Sequence, residues 1–206
     1  MWKARIKYPF YVILHPYKGY WDVKYDRMGS LRIALAILFL VSLASMFQYQ
    51  YAGFIVNTHP AYSFNSLVQL RNVLLPFLLW CVANWSLTTL MDGEGKFKEI
   101  VVASAYAMLP LFLLFVPATV YSRFITLEET AFYYYMNGFA VIWFLYLLFV
   151  ATMTIHQYTV GKTIVTIALT VVCMGFIVFL GMLFFSLIQQ MYSFFFTIYR
   201  ELQFRS

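Results

Sequence analysis

Five long apolar stretches, separated by short polar breaks, occupy most of this chain and restrict its fold more than any other feature. A bilayer core about 30 Å thick is crossed by roughly 20 apolar residues of helix. Leu31–Ile55, Leu70–Met91, Ile100–Tyr121, Phe132–Ile155 and Thr163–Leu187 each reach that length, and the only full charges inside them are Arg32 and Arg71, both near an end. In lipid every backbone N–H and C=O must be satisfied within its own segment, which makes each stretch a helix. The expected fold is an all-α membrane protein, a five-transmembrane-helix bundle with a short N-terminal interfacial segment. Residues 1–30 form that basic, aromatic segment on the cytoplasmic side, and residues 31–206 form the five-span domain.

Composition agrees with this reading. Charged residues make up 11% of the chain, against about 25% in an ordinary soluble domain, so little is left for a soluble domain. No cleavable signal peptide is expected, because the first thirty residues lack a continuous apolar core. The net charge of +6 is a topology signal rather than a nucleic-acid footprint. With the N-terminus inside, ten of the fourteen basic residues fall on the cytoplasmic side, leaving Arg71, Arg123, Arg200 and Arg205 outside. The positive-inside rule then puts the N-terminus in the cytoplasm and the C-terminus outside a cell membrane.

Residues 5–29 mix Ile6, Phe10, Ile13, Leu14, Tyr17 and Trp21 with Lys7, Lys18, Lys24 and Arg27, a pattern suited to the headgroup layer. Pro9 and Pro16 predict two short helical pieces rather than one. Two readings stand: a membrane-surface anchor and a platform for a partner. The loop from Val56 to Val68 is uncharged, and its His59-Pro60 pair reads as loop rather than ligand.

Arg71, Asn72 and Asn84 in the second span, with Tyr106 in the third and Asn137 in the fourth, form the expected set of intramembrane packing groups. Polar side chains in a span face other helices rather than lipid. Pro76 is expected to kink the second span. His156, alone at the end of the fourth, reads as an interfacial residue. The fifth apolar run continues past Leu187 to Tyr199. Gln189, Gln190 and Ser193 are the expected point where it leaves the lipid and turns along the outer surface or meets a partner.

The break Asp92-Gly93-Glu94-Gly95-Lys96-Phe97-Lys98, followed by Glu99, concentrates five charges in eight residues. Gly93 and Gly95 allow positive φ in a tight cytoplasmic hairpin. It lacks the third glycine and the lysine–serine pair of a phosphate loop. A plain turn and a protein-docking knob remain as readings, and the second makes Asp92 to Lys98 the candidate partner-binding residues.

Catalytic chemistry is missing. His15, His59 and His156 lie in separate segments, no pair of them has metal-ligand spacing, and no serine sits in a Gly-x-Ser-x-Gly frame. No ionisable group lies near a midplane, as coupled transport needs. An enzyme is therefore not expected, nor a cofactor, a metal or a nucleic-acid partner.

The His15-Pro16 segment with Trp21, the Asn84-Trp85 pair, the Asp92–Glu99 turn, and Tyr106 with Pro110 resemble the Yip-domain (Ypt/Rab-interacting protein) family over roughly residues 10–198, bacterial-type members most of all. The resemblance implies five spans and a cytoplasmic N-terminus. In eukaryotic members it implies membrane traffic and small Rab-type GTPases. Lacking their long N-terminal extension, this chain is not expected to bind a small GTPase. For bacterial members it implies a setting beside carbohydrate-uptake ABC transporters. The expected function is a non-enzymatic membrane scaffold or accessory subunit, its partners being the lipid bilayer and other membrane proteins, ABC transporter subunits among them. The alternative is a transport component lining part of a substrate path. A water-accessible cavity lined by Asn84, Tyr106 and Asn137 would favour transport, and a dry, well-packed bundle with an exposed apolar flank would favour the scaffold.

Overall fold

The computed structural model describes residues 2–57 and 64–205. His59 and Pro60 lie outside them, as do the side chains of Lys3, Arg5, Ile6 and Arg205. Eight α-helices follow in order: α1 (Trp2–Leu14), α2 (Pro16–Lys24), α3 (Leu31–Tyr51), α4 (Ser66–Leu90), α5 (Phe97–Ala107), α6 (Leu109–Tyr121), α7 (Thr130–His156) and α8 (Val160–Arg205). Among the described residues there is no strand. Five segments are long and apolar enough to cross a membrane: α3, α4, α5 with α6, α7 and α8. The protein is an all-α, five-span membrane protein.

The third span is two helices where one was expected. Pro110 has no N–H to give and its ring crowds the carbonyl four residues back, so the helix breaks at Met108 and restarts with the proline in its first turn. Pro76 and Pro117 leave α4 and α6 unbroken. The first span stops at Tyr51 rather than Ile55, because Gly53 docks against the far end of α6, its N–H donating to Ser122 Oγ at 2.7 Å.

The core lies where α5 and α6 run between α3 and α7. Small residues Ala103, Ala105 and Ala107 let the backbones approach, and Val41, Tyr106, Leu147 and Val150 fill the space between them. The two N-terminal helices pack on this core. Tyr8, Val12, Ile13, Tyr20 and Val23 are buried in it, while Phe10, Leu14, Tyr17, Trp21 and Tyr25 face outward. The break expected at Pro16 is present, and Tyr8 closes the α1–α2 corner by donating its hydroxyl to the Gly19 carbonyl at 2.8 Å.

α8 departs most from expectation. It does not turn at Gln189–Ser193 but runs unbroken for 46 residues. Gln190 bonds Ser186 and Thr197 bonds the Ser193 carbonyl, each one turn back, so these polar groups are satisfied along the helix and give it no reason to end. Its first turns pack on α4 and α7; from Met182 to Glu201 every residue is exposed.

Candidate functional site

The connection between α4 and α5 is held from beneath by one side chain. His156, the last residue of α7, is buried at 1% exposure, and its Nε2 lies 3.0 Å from Asn84 Oδ1 on α4. Since a carboxamide oxygen only accepts, that nitrogen carries the proton. Asn84 in turn donates to Thr170 Oγ1 of α8 at 3.4 Å, so one carboxamide joins three spans. The other imidazole nitrogen, Nδ1, is buried with no partner.

Gly93 and Gly95 lie against that ring. A Cβ on Gly93 would meet His156 Nδ1 at 2.8 Å and Tyr158 Oη at 2.7 Å; one on Gly95 would meet His156 Cε1 at 2.6 Å. Glycine is required here for close approach and not for left-handed backbone, as the sequence suggested. The residue with positive φ is Asp92, at 55°. The two glycines face inward, and Asp92, Glu94, Lys96, Phe97 and Lys98 are exposed.

Further bonds hold the ends of this turn. The Met91 carbonyl accepts from Tyr158 Oη at 3.0 Å and from Lys162 Nζ at 2.8 Å. Burial, then the charge of Asp92, raises the Tyr158 phenol above its ordinary range, so it stays a donor. Lys24 at the end of α2 pairs with Glu94 at 2.7 Å, tying the N-terminal helices to the turn. The Lys96 N–H donates to the Glu99 carboxylate at 3.1 Å, capping α5. Phe97 meets Trp85 of α4 edge-on with ring centroids 5.8 Å apart. The result is a turn tied down at both ends that presents two acidic residues, two lysines and an aromatic ring on its outer surface.

The other polar residues singled out in the spans are not brought together. Tyr106 is fully buried and its hydroxyl accepts from the Ser30 N–H at 3.0 Å, which pins the entry to α3. Asn137 accepts from Gln48 of α3 at 2.6 Å near the opposite end of the bundle. Arg71 and Asn72 are exposed and bond to each other at 3.3 Å. Asn84, Tyr106 and Asn137 therefore line no common cavity. Among the described residues no three His, Cys, Asp or Glu side chains are grouped to hold a metal.

Sequence reasoning missed His156 and the threonines Thr163, Thr166 and Thr170. All three threonines are fully buried, and each bonds the carbonyl four residues back. Their spacing of three and four along α8 was the available signal, since small self-satisfied residues at that spacing mark a helix–helix face.

A family model described as the Yip1 domain matches residues 10–183. No curated protein and no solved structure matches the chain.

Proposed function

The chain belongs to the Yip1 domain family, and from that premise we propose that it is a non-enzymatic scaffold or accessory subunit, acting by helix and loop contacts with other membrane proteins. The observation that carries this reading is α8. Its 46 residues extend about 69 Å at 1.5 Å per residue, against about 40–45 Å for a bilayer with its headgroups. The exposed surplus includes Phe194, Phe195, Phe196, Ile198 and Tyr199. Apolar groups on every side of a helix beyond the lipid call for a protein surface to cover them.

In this reading the chain sits in the cell membrane with its N-terminus and the Asp92–Lys98 knob in the cytoplasm and α8 emerging outside. The placement of ten of fourteen basic residues supports that orientation. Residues 1–30 serve as the interfacial segment, and the knob is the cytoplasmic docking element. A carbohydrate-uptake ABC complex is the setting that the bacterial resemblance favours. The second reading, a transport component, has in its favour a cavity of about 460 Å³ among the spans. Its walls are apolar, however, and include neither Asn84, Tyr106 nor Asn137.

The test deletes residues 188–206 and compares the chains that co-purify at native expression with those of the intact protein. Loss of a defined set of partners with unchanged melting is the expected result. Full recovery of the same partners would remove α8 as the contact surface.

A further inference from the structure

The 460 Å³ cavity is a slot bounded by α3, α4, the α5–α6 break, α7 and α8, with Trp80, Leu111, Leu148 and Val171 among its walls. Its volume falls within the roughly 300–1,000 Å³ of small-molecule sites. Along α4 it runs from Asn72 to Trp80, about 12 Å on the helix axis, so it is elongated in the direction lipid chains take. The polar atoms at its inner wall satisfy each other, Trp80 Nε1 donating to Ser104 Oγ at 3.2 Å. Leu145 on α7 and Val171 on α8 are 54% and 58% exposed, so the slot opens to the bilayer between those helices.

The end of the slot away from the Asp92–Phe97 turn carries a cation. Asn72 lines the slot, and Arg71 Nη2 donates to Asn72 Oδ1 at 3.3 Å. Among the described residues the one salt bridge is Lys24–Glu94, so the Arg71 guanidinium has no carboxylate partner. Its place near the end of a span is headgroup depth, where phosphate is the available anion.

We propose that the slot holds one acyl chain of a membrane phospholipid whose phosphate is bound by Arg71. An empty slot leaves its lining atoms without dispersion partners, and the lateral opening admits a chain directly from the leaflet. Lipid tails and the slot wall are equally apolar, so burial alone selects nothing. Selection comes from the shape of the slot and from the planar donor fork of Arg71 on phosphate oxygens. The helix break at Met108 fits the same picture, since irregular backbone at membrane depth belongs in protein or beside a cavity.

The experiment titrates delipidated protein in detergent with phosphatidylglycerol, or with diacylglycerol of the same chains, and reads bound lipid by native mass spectrometry. The wild type is expected to hold one phosphatidylglycerol and to prefer it over diacylglycerol. Val171→Trp, made at an exposed position, fills the slot and abolishes binding of both lipids, and Leu111→Phe fills it from α6 should the first variant not fold. Arg71→Gln weakens phosphatidylglycerol about tenfold, the loss of a charge-assisted bond, and leaves diacylglycerol unchanged. Phe179→Trp, on α8 but outside the slot, changes neither. Wild-type binding retained in a folded slot-filling variant, or phosphatidylglycerol binding unchanged in Arg71→Gln, would overturn the proposal.

Discussion

Asn84 and His156 lie 72 positions apart in the chain, and each was an isolated polar residue until folding joined them. Asn84→Leu leaves Thr170 and the His156 Nε2–H without their partner, at about 0.6–2 kcal/mol for an interhelical bond in a membrane. The variant is expected to melt well below wild type in detergent. Leu79→Ile, a volume-conserving change at a half-buried site on the same helix, is expected to cost less. Equal or higher melting of Asn84→Leu would contradict the packing role. Gly95→Ala provides the companion measurement: the added methyl meets His156 and Ile155, both buried, so melting falls there too. The sequence made Asn84 legible because a carboxamide inside a span must find a partner. It did not reveal His156, since a lone histidine at a helix end looks the same whether it faces water or a neighbouring span.

At the scale of elements, the turn and α8 are the two parts on which the proposed scaffold role rests. Neither Phe97 nor the charges flanking it are needed for a hairpin, and Phe97 is 40% exposed even with Trp85 against it. If the outer face of the knob docks on a partner, Phe97→Ala combined with Lys96→Glu and Lys98→Glu will lose co-purifying chains while expression and melting stay near wild type. Unchanged recovery would leave the knob as a turn and shift the contact to α8. Hydropathy recorded the five spans well but not the course of the backbone within the third or beyond the fifth. The proline break at Met108 and the uninterrupted course of α8 depend on backbone hydrogen bonds. A polar pair such as Gln189-Gln190 suggests an exit from lipid yet does not stop a helix.

For the molecule as a whole, the strongest expectation concerns its orientation. Single cysteines in a background lacking Cys81 and Cys173 are expected to label from opposite sides at Lys96 and Phe124. Phe124 is 81% exposed, whereas its neighbour Ser122 is 2% exposed and bonded to Gly53, which makes Ser122 unsuitable for the label. An impermeant reagent added to intact cells should modify Phe124→Cys and spare Lys96→Cys. Equal labelling would contradict the single span, Phe97–Tyr121, that separates those two positions.

The number of spans, their helical character and the charge asymmetry were determined by the sequence alone, because each follows from the solvent: lipid demands long apolar helices, and basic residues bias the loops that hold them. Which polar residues meet was decided only by tertiary structure. Asn84, His156 and Thr170 converge under the turn, while Tyr106 and Asn137 serve other junctions. The role of Gly93 and Gly95 was decided there too, since their close approach to an imidazole is a contact between helices and leaves no mark on local periodicity. The slot beside Arg71 exists for the same reason. Its walls come from segments far apart in the chain, and only their packing leaves a space where each alone would simply read as apolar helix.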